Sequence, residues 1–358
     1  MIPIASPVLG DDEVDRVTRV LETGMLAEGE VVREFEREFA DYCGTDRAIA
    51  TANGTAALHA ALVALGIGEG DRVLTTPFSF VATANAIRHA GAEPVFADVD
   101  PVTYNLEPKA ARDAARTEDV DAILVVHLYG CPAEMDAFVE LAADLEIPLV
   151  EDCAQAHGAS YRGQRVGSFG DAACFSFYPT KNMTTGEGGM VLTDRDDVAE
   201  RVERFVDHGR VGGYTHASVG HNFRMTNVAA AIGRAQFERL PGFVACRREN
   251  ATRLTAAVTG TDGIEPPVDP DRSEHVYHQY TVRARERAAF RERLEAHDVG
   301  TAVYYPRCIH EQPAYDGVSH DAPRAERAAA EVVSVPVHPA LSDDDVDRIA
   351  EVIASYGG

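Results

Sequence analysis

The sequence predicts an α/β protein, with a large domain whose mainly parallel seven-stranded sheet is sandwiched by helices and a smaller C-terminal α+β domain. Three observations lead to this fold class. The 358 residues exceed one typical hydrophobic core. Seven short β-rich runs recur between residues 48 and 193, and several are apolar end to end, as strands buried on both faces are. Helical segments lie between most of these runs, which is the arrangement of a parallel sheet.

The N-terminal segment predicts two amphipathic helices. The first spans 11–22 and is followed by Gly24. The second carries Phe35 and Phe39 four residues apart and stops at Gly44.

The sheet region follows directly. Predicted helices at 56–65 and 135–145 lie between its strands, and the last two strands are joined only by the loop that contains Lys181. Ligands of such sheets bind at the carboxyl ends of the strands. The predicted strands are 48–51, 72–76, 94–99, 122–128, 148–153, 172–177 and 190–193.

The remainder predicts the second domain. A helix after residue 194 ends at Gly209, and a Gly-rich loop at 209–220 leads into another helix. Strands are predicted at 277–283 and 301–305, and the last helix is capped by Ser342. We place the large domain at 1–245 and the small domain at 246–358.

Composition limits the function classes. The net charge of −25 repels polynucleotides and anionic membranes, so no nucleic-acid or membrane partner is expected. Only two lysines are present, Lys109 and Lys181, which suits a halophilic cytoplasm or reflects GC-rich codons. The six cysteines form no C-x-x-C pair and predict free thiols in a cytoplasmic protein. The histidines show no metal-binding spacing, so no metal is expected.

Lys181 is the first candidate for chemistry, because it lies among Ser, Thr and Gly just after an apolar run. It is either a solvated loop lysine or a lysine whose partly neutral amine forms a Schiff base.

The other candidates also follow predicted strands. The turn at Gly54 and Thr55 is a helix cap or an anion site. Asp152 is an N-cap or an acid that faces a ligand, and Ser176 lies close enough to join a phosphate site. Phe80 is a core residue or stacks on an aromatic ring. A phosphate site, an acid, a stacking ring and a lysine together match the requirements of pyridoxal phosphate.

The chain resembles the sugar aminotransferases of the DegT/DnrJ/EryC1/StrS family, which are fold type I pyridoxal-phosphate enzymes. The resemblance runs nearly end to end. The segments that carry it are Asn-Gly-Thr-Ala-Ala-Leu at 53–58, Pro-Phe-Ser-Phe-Val-Ala-Thr at 77–83, Glu-Asp-Cys-Ala-Gln-Ala-His-Gly-Ala at 151–159, Ser-Phe-Tyr-Pro-Thr-Lys-Asn at 176–182, Gly-Glu-Gly-Gly at 186–189 and Gly-His-Asn-Phe-Arg-Met at 220–225.

The resemblance implies a role for each site residue. Lys181 would form the Schiff base, and Asp152 would bind the pyridine nitrogen. The remaining expectations are phosphate contacts from Gly54, Thr55 and Ser176, a stacking ring from Phe80, a position near the ring hydroxyl for Gln155, a phosphate contact from Asn222 of a neighbouring subunit, and substrate contacts from Arg224 and His310.

The resemblance also implies the reaction: an amino group passes from an amino acid, glutamate in our interpretation, to a nucleotide-linked keto sugar in amino sugar and polysaccharide biosynthesis. The enzyme would be a homodimer with its active site at the subunit interface. Two alternatives stay open, a pyridoxal-phosphate sugar dehydratase of the same fold and a non-catalytic regulatory relative. Dehydratases that resemble this family replace the lysine with histidine, so Lys181 favours transamination.

Overall fold

A computed structural model describes residues 1–318 and 320–356. Those residues form eleven α-helices: α1 (Asp11–Thr23), α2 (Glu30–Cys43), α3 (Gly54–Ala64), α4 (Ala82–Ala90), α5 (Pro108–Thr117), α6 (Met135–Leu145), α7 (Asp196–Val206), α8 (Asn227–Thr259), α9 (Arg287–Glu295), α10 (Pro323–Glu331) and α11 (Asp343–Ala354). Their strands are β1 (Arg47–Thr51), β2 (Arg72–Thr75), β3 (Glu93–Phe96), β4 (Ala122–Val126), β5 (Leu149–Asp152), β6 (Ser160–Tyr161), β7 (Gln164–Arg165), β8 (Ala172–Ser176), β9 (Gly189–Thr193), β10 (Arg210–Gly212), β11 (Thr215–His216), β12 (Ile264–Glu265), β13 (Ser273–Glu274), β14 (Tyr280–Ala284) and β15 (Val332–Val335).

The central sheet has seven strands in the order β1-β9-β8-β5-β4-β2-β3. Strands β3, β2, β4, β5 and β8 pair in parallel, whereas β9 is antiparallel to both β8 and β1. Strand β4 is buried along its whole length, in agreement with its unbroken apolar sequence. The α/β fold class and all seven predicted strands are therefore confirmed.

The two N-terminal helices are also as predicted. Helix α1 ends at Gly24 and α2 ends at Gly44, and both glycines have the left-handed backbone that favours this residue at a helix end. Phe35 and Phe39 of α2 are buried, and Phe39 packs edge-on against Phe175 of β8 with the ring centroids 4.9 Å apart.

Three details of the later chain differ from the predictions. The segment 301–305 forms no strand, and only Ala302 pairs, with Ser334 of β15. The strand at 332–335 was missed, because its four residues follow a helix without a turn signal. The Gly-rich stretch at 209–220 is a β10–β11 hairpin rather than an open loop, and its residues 210–219 are exposed.

A second hydrophobic core lies around the antiparallel sheet β12-β14-β15 and helices α9 and α11. The C-terminal part of α8 contributes Leu254 to it, whereas the N-terminal part of α8 contributes Leu240 to the core that contains Phe35. Ile2 packs in the second core and pairs with Val299. We propose that the boundary between residues 245 and 246 divides α8 between the two domains.

A buried carboxylate joins the two parts of the chain. Asp98, just beyond β3, accepts hydrogen bonds from the backbone N–H groups of Arg324 (3.1 Å) and Ala325 (2.9 Å) in the first turn of α10. The Arg324 side chain donates to the same carboxylate at 3.0 Å and also pairs with Glu107. Asp98 therefore caps a helix more than 200 residues away in the sequence.

Two further predictions concern the thiols and the last helix. All six cysteines are free, and five of them are buried. Ser342 accepts a hydrogen bond from the Asp345 N–H and caps α11, as predicted. Among the described residues, no helix is both long and apolar enough to cross a membrane.

Candidate active site

The turn between β1 and α3 lies against the end of β8. Asn53 caps α3 by accepting a hydrogen bond from the Ala56 N–H at 2.9 Å. A Cβ atom on Gly54 would lie 2.7 Å from the Ser176 Cβ, so only glycine allows this approach. The first N–H groups of α3, on Gly54 and Thr55, have no acceptor within the helix and carry its positive dipole end. The arrangement is a small anion cradle that the Ser176 hydroxyl adjoins.

The glycines of the Gly-Glu-Gly-Gly motif bring the end of the lysine loop onto this cradle. A Cβ atom on Gly189 would lie 2.5 Å from the Asn53 carbonyl oxygen. On Gly188 it would lie 2.2 Å from the Thr185 Oγ1 and 2.8 Å from the Met225 Cε. These glycines are therefore needed for close packing around the cradle.

Asp152 ends β5 and is buried. Its Oδ2 accepts a hydrogen bond from the Thr83 hydroxyl at 2.8 Å, and its Oδ1 accepts one from the Ala154 N–H at 3.1 Å. Thr83 is itself within 2.9 Å of the Ser79 hydroxyl, so the loop before α4 supports the carboxylate. Burial raises the pKa of Asp152, and the two hydrogen bonds and the charge of Lys181 oppose that rise.

Lys181 is half-buried in the loop between β8 and β9. Removal of the amine from water lowers the pKa of Lys181 to about 8, and the Asp152 carboxylate opposes this decrease. At pH 7 about one amine in ten is then neutral. The fold therefore brings Asp152 and Lys181 into electrostatic contact and gives Lys181 the partly neutral amine that a Schiff-base lysine requires.

Phe80 and Tyr305 form an aromatic pair, and Tyr305 lies near enough to Asp152 to interact with its charge. The Phe80 side chain is 54% exposed, and its ring centroid is 6.1 Å from that of Tyr305. The Tyr305 hydroxyl accepts a hydrogen bond from the Gln155 Nε2 at 3.0 Å, and the Gln155 Oε1 accepts one from the Tyr129 N–H at 2.6 Å. The exposed ring of Phe80 is free for stacking, whereas both ends of the Gln155 amide already have protein partners.

Asn222 and Arg224 lie on the segment that follows the β10–β11 hairpin. Asn222 is exposed, and its backbone pairs with Asp207. The backbone of Arg224 pairs with Thr51 at the end of β1, and its guanidinium forms ion pairs with Asp207 and, at 3.6 Å, with Glu28. Arg224 therefore lies beside the anion cradle with its charge neutralised, and Asn222 is exposed.

His310 occupies a different environment from the other candidates. It is buried beneath the surface, where its Nε2 lies 3.2 Å from the Glu326 carboxylate and its ring stacks on His320 at 3.8 Å. Its described hydrogen bond and ring contacts are with Glu326, His320 and Phe96, and none of these is another candidate residue. Burial and the neighbouring His320 lower the pKa of His310. A substrate contact from His310 stays a prediction.

Groups of potential metal ligands occur in the described chain, although the sequence spacing indicated none. Atoms of His127, Glu151 and Cys153 lie within 4.8 Å of one another, as do two groups that share His310, one with Cys308 and Glu311 and one with His320 and Glu326. The His127 Nε2 is 3.0 Å from Glu151, and its Nδ1 accepts the Ala133 N–H, so hydrogen bonds account for this histidine.

Sequence analysis missed two side chains that contact the site, Thr83 and Tyr305. Thr83 lies within the segment 77–83, which carries part of the family resemblance, and Tyr305 lies five residues before the candidate His310. No spacing rule connects a threonine hydroxyl to a carboxylate 69 residues away or a tyrosine to a glutamine 150 residues away. A cavity of about 880 Å³ between α5 and the segment before α10 lies elsewhere, and neither Asp152 nor Lys181 lines it.

Comparison with protein families identifies the chain. Residues 7–354 match the model of the DegT/DnrJ/EryC1/StrS aminotransferase family. The chain belongs to this family. Its members depend on pyridoxal phosphate, so the chain is a pyridoxal-phosphate-dependent aminotransferase of fold type I, as the resemblance implied.

Individual relatives of this aminotransferase have catalytic and regulatory names. This chain is 40% identical to a pleiotropic regulatory protein of Geobacillus stearothermophilus, over 96% of this chain and 94% of that protein. It is 38% identical to the UDP-N-acetyl-3-dehydro-alpha-D-glucosamine 3-aminotransferase of Acidithiobacillus ferrooxidans, over 96% of this chain and 94% of that enzyme. The crystal structure of DesV from Streptomyces venezuelae in complex with a ketimine intermediate has a TM-score of 0.93 and 37% identity, and covers 96% of this chain and 93% of DesV.

Proposed function

We propose that this aminotransferase transfers an amino group, with glutamate as the donor, to the ketone of a nucleotide-linked sugar. The observation that carries the proposal is the buried Asp152 in electrostatic contact with Lys181, whose pKa is lowered to about 8. The names of the relatives support the substrate class, because one acts on a UDP-linked keto sugar.

The described residues fit pyridoxal phosphate. The cradle of Gly54, Thr55 and Ser176 suits a phosphate, because a Cβ atom on Gly54 would fill the space beside Ser176. The buried Asp152 carboxylate has only two described hydrogen-bond donors and suits a positively charged ring nitrogen. When bound, the cofactor supplies an electron sink for the substrate carbon.

Each protein group then has a role. Asp152, which Thr83 orients, would keep the ring nitrogen protonated through its charge. Lys181 would hold the cofactor covalently through its Nζ, and the same atom could move a proton once it is released. Phe80 would cover one face of the ring, and Gln155, which its protein partners hold in place, would lie near the ring hydroxyl. Arg224 contacts the substrate once it exchanges part of its pairing with Asp207 and Glu28.

We also propose a homodimer with shared active sites. Asn222 is exposed beside the hairpin, and Tyr214 at the hairpin tip is 99% exposed, as is expected of residues that a second copy covers. A mixture of Lys181→Ala and Asn222→Ala chains tests the sharing. Heterodimers would contain one intact site each, so activity should rise to about a quarter of the wild-type value. Activity equal to the mean of the two separate variants would contradict a shared site.

The composition supports a high-salt cytoplasmic setting. At a net charge of −25 the folded chain repels itself, and salt screens this repulsion. The free thiols suit a reducing compartment. We expect the thermal midpoint to rise between about 0.1 M and about 3 M KCl, measured with matched ionic strengths of a second salt as a control. A midpoint that falls with salt would contradict the proposed halophily.

The decisive experiment is a substrate screen. The protein loaded with pyridoxal phosphate is incubated with glutamate and a panel of nucleotide-linked keto sugars, and 2-oxoglutarate is measured. We expect turnover with at least one sugar and none with Lys181→Ala, which still binds cofactor through the cradle. Loss of the sugar hydroxyl without 2-oxoglutarate would indicate a dehydratase instead.

A regulatory role is the second candidate, because a relative named as a pleiotropic regulatory protein is 40% identical. The two functions differ in their response to glutamate alone. An aminotransferase changes the visible absorption of its bound cofactor when glutamate is added, whereas a protein that only binds the cofactor does not.

A further inference from the structure

A short linking segment, residues 276–279, joins the small domain to the site. It follows β13 and leads into β14. The Val276 N–H donates to the Gly130 carbonyl at 3.0 Å, and the Gln279 N–H donates to the Tyr129 carbonyl at 3.3 Å. Gly130 has a φ of 90°, and a Cβ atom there would lie 3.0 Å from the His278 nitrogen. The segment therefore packs directly on the turn that holds Gln155.

Three side chains connect this segment to the lysine loop. The Asn182 Nδ2 donates to the Val276 carbonyl at 3.4 Å, which leaves the Asn182 Oδ1 as an acceptor. The His278 Nδ1 lies 3.4 Å from that oxygen and must therefore carry the ring proton. The His278 Nε2 can then accept from the Gln279 amide at 3.5 Å. One neutral tautomer satisfies the whole chain of contacts.

The backbone of His278 is fixed from the opposite side by α8. The buried Arg247 donates from one terminal nitrogen to the carbonyl oxygens of Tyr277 (3.2 Å) and His278 (3.3 Å). Among the described ion pairs none involves Arg247, and burial lowers its pKa to about 10. The guanidinium therefore serves as a donor to the linking segment.

The contact reaches Lys181 through its neighbour in the chain. Asn182 is buried. The Thr184 hydroxyl donates to the Phe177 carbonyl at 2.8 Å, so a hydrogen bond joins the two sides of the loop that contains Asn182. The groups whose charge interacts with Lys181 are Asp152, His157 and His278. Burial and the charge of Lys181 lower the pKa of both histidines far below the usual value, so both are neutral. Asp152 is then the only one of the three that is charged.

We propose that His278 is a positioning residue for Lys181: its bond to Asn182 holds the lysine loop against the linking segment and keeps the amine out of water. The contact makes the amine of Lys181 more often neutral than that of a solvated lysine. It also connects the small domain and α8 to the reactive nitrogen. The inference rests on the proposed function, in which Lys181 must be neutral to hold the cofactor.

The test measures how fast the apoprotein combines with pyridoxal phosphate, followed by visible absorption between about pH 6 and pH 10. The rate below the amine pKa is proportional to the neutral fraction, so a rise of one pKa unit slows it about tenfold. We expect His278→Leu to react about tenfold more slowly than wild type at pH 7, with the difference vanishing near pH 10. A global loss of structure would instead lower the rate at every pH.

Conservative and control variants separate positioning from packing. His278→Asn places an amide donor near the original Nδ1 and should restore most of the rate at pH 7. His338→Asn changes another buried histidine, whose Nε2 donates to the Pro3 carbonyl at 2.9 Å, and should keep the wild-type pH profile. If His278→Leu does not fold, Asn182→Ala removes the same contact from the other side and should give the same shift.

The outcomes distinguish the inference from the function on which it rests. A wild-type pH profile in folded His278→Leu or Asn182→Ala would overturn the positioning role while leaving the aminotransferase proposal intact. If the wild-type protein itself develops no visible absorption with pyridoxal phosphate, the proposed function fails, and the role of His278 fails with it.

Discussion

Glu151 and Asp152, neighbours at the carboxyl end of β5, face opposite sides of the strand and differ in their hydrogen bonding. Glu151 is fully buried and accepts hydrogen bonds from three backbone N–H groups, those of Gly167 (2.8 Å), Phe169 (2.8 Å) and Gly170 (3.0 Å). The fourth donor is the His127 Nε2, because the other ring nitrogen of His127 accepts a backbone N–H. The lone pairs of Glu151 are therefore occupied, and its position organises the loop before β8.

Asp152 faces the opposite side of the strand and accepts fewer hydrogen bonds than Glu151. It has two described donors, Thr83 and Ala154, although it is also buried. A buried carboxylate with spare acceptor capacity is stabilised by any cation that comes near it, and Lys181 already contributes part of that effect. Hydrogen-bond saturation, rather than burial, therefore separates a structural carboxylate from one that is available to a ligand.

Asp152→Asn should have the largest effect and would test this distinction directly. Asparagine keeps the shape but cannot hold a proton on a ring nitrogen by charge, so we expect kcat/KM to fall on the order of 10³-fold. The thermal midpoint should change little, because Asn can still accept from Thr83 or Ala154. Steady-state kinetics with saturating cofactor measure the effect, and activity within tenfold of wild type would show that Asp152 is not the partner of the ring nitrogen.

Glu151→Gln should show the reverse pattern. An amide replaces one acceptor oxygen with a donor that faces backbone N–H groups, which leaves buried donors unpaired. We expect a loss of about 2–3 kcal/mol in the free energy of unfolding, measured by denaturant titration, with kcat per loaded site within a few-fold of wild type. If Glu151→Gln lost activity without losing stability, the two carboxylates would not divide their roles as the geometry indicates.

The sequence predicted the sheet and indicated Asp152 and Lys181 as candidates, but it could not predict the difference in hydrogen bonding between Glu151 and Asp152. The seven strands were found because they are short, apolar and separated by helices. Asp152 and Lys181 were found because strand ends and an isolated lysine are visible in the sequence. Three of the four donors to Glu151 are backbone N–H groups 16 to 19 residues away, and their direction depends on a loop conformation that no pattern encodes.

The missed strand and the missed site residues have the same physical origin, because each is defined by contacts between residues distant in the sequence. The strand at 332–335 pairs with β14 about 50 residues earlier, so only tertiary contact defines it. Thr83 and Tyr305 were absent from the predicted site because their hydroxyl groups act on partners distant in the sequence. Their identities were visible, whereas their directions were not.

Thr83→Val removes one of the two described hydrogen-bond donors to Asp152 and so increases its difference from Glu151. Valine has nearly the same shape but removes the hydroxyl that donates to Oδ2 at 2.8 Å. The pKa of Asp152 should rise further, and we expect kcat/KM to fall about tenfold, which corresponds to one hydrogen bond to a charged group. Thr83→Ser retains the donor and should recover most of the activity. Equal activity of the Val and Ser variants would show that Asp152 is oriented by other groups.

The smallest effect concerns the pH dependence of stability in the apoprotein. The pKa of Lys181 is about 8 in the folded state and about 10.5 for an unperturbed lysine. Between these values the unfolded chain binds more protons at this site than the folded chain does. The Lys181 contribution to stability therefore rises with pH across this window and is least favourable below pH 8.

Lys181→Met removes the titration, so the difference in unfolding free energy between variant and wild type should shift in favour of wild type from pH 7 to pH 10. Parallel measurements on Lys109→Met, whose side chain is 80% exposed, provide the control for loss of a lysine at the protein surface. If the difference in unfolding free energy between Lys181→Met and wild type did not change with pH, the amine would not be held away from water. Asp152 would then lack the nearby buried cation that distinguishes it from Glu151.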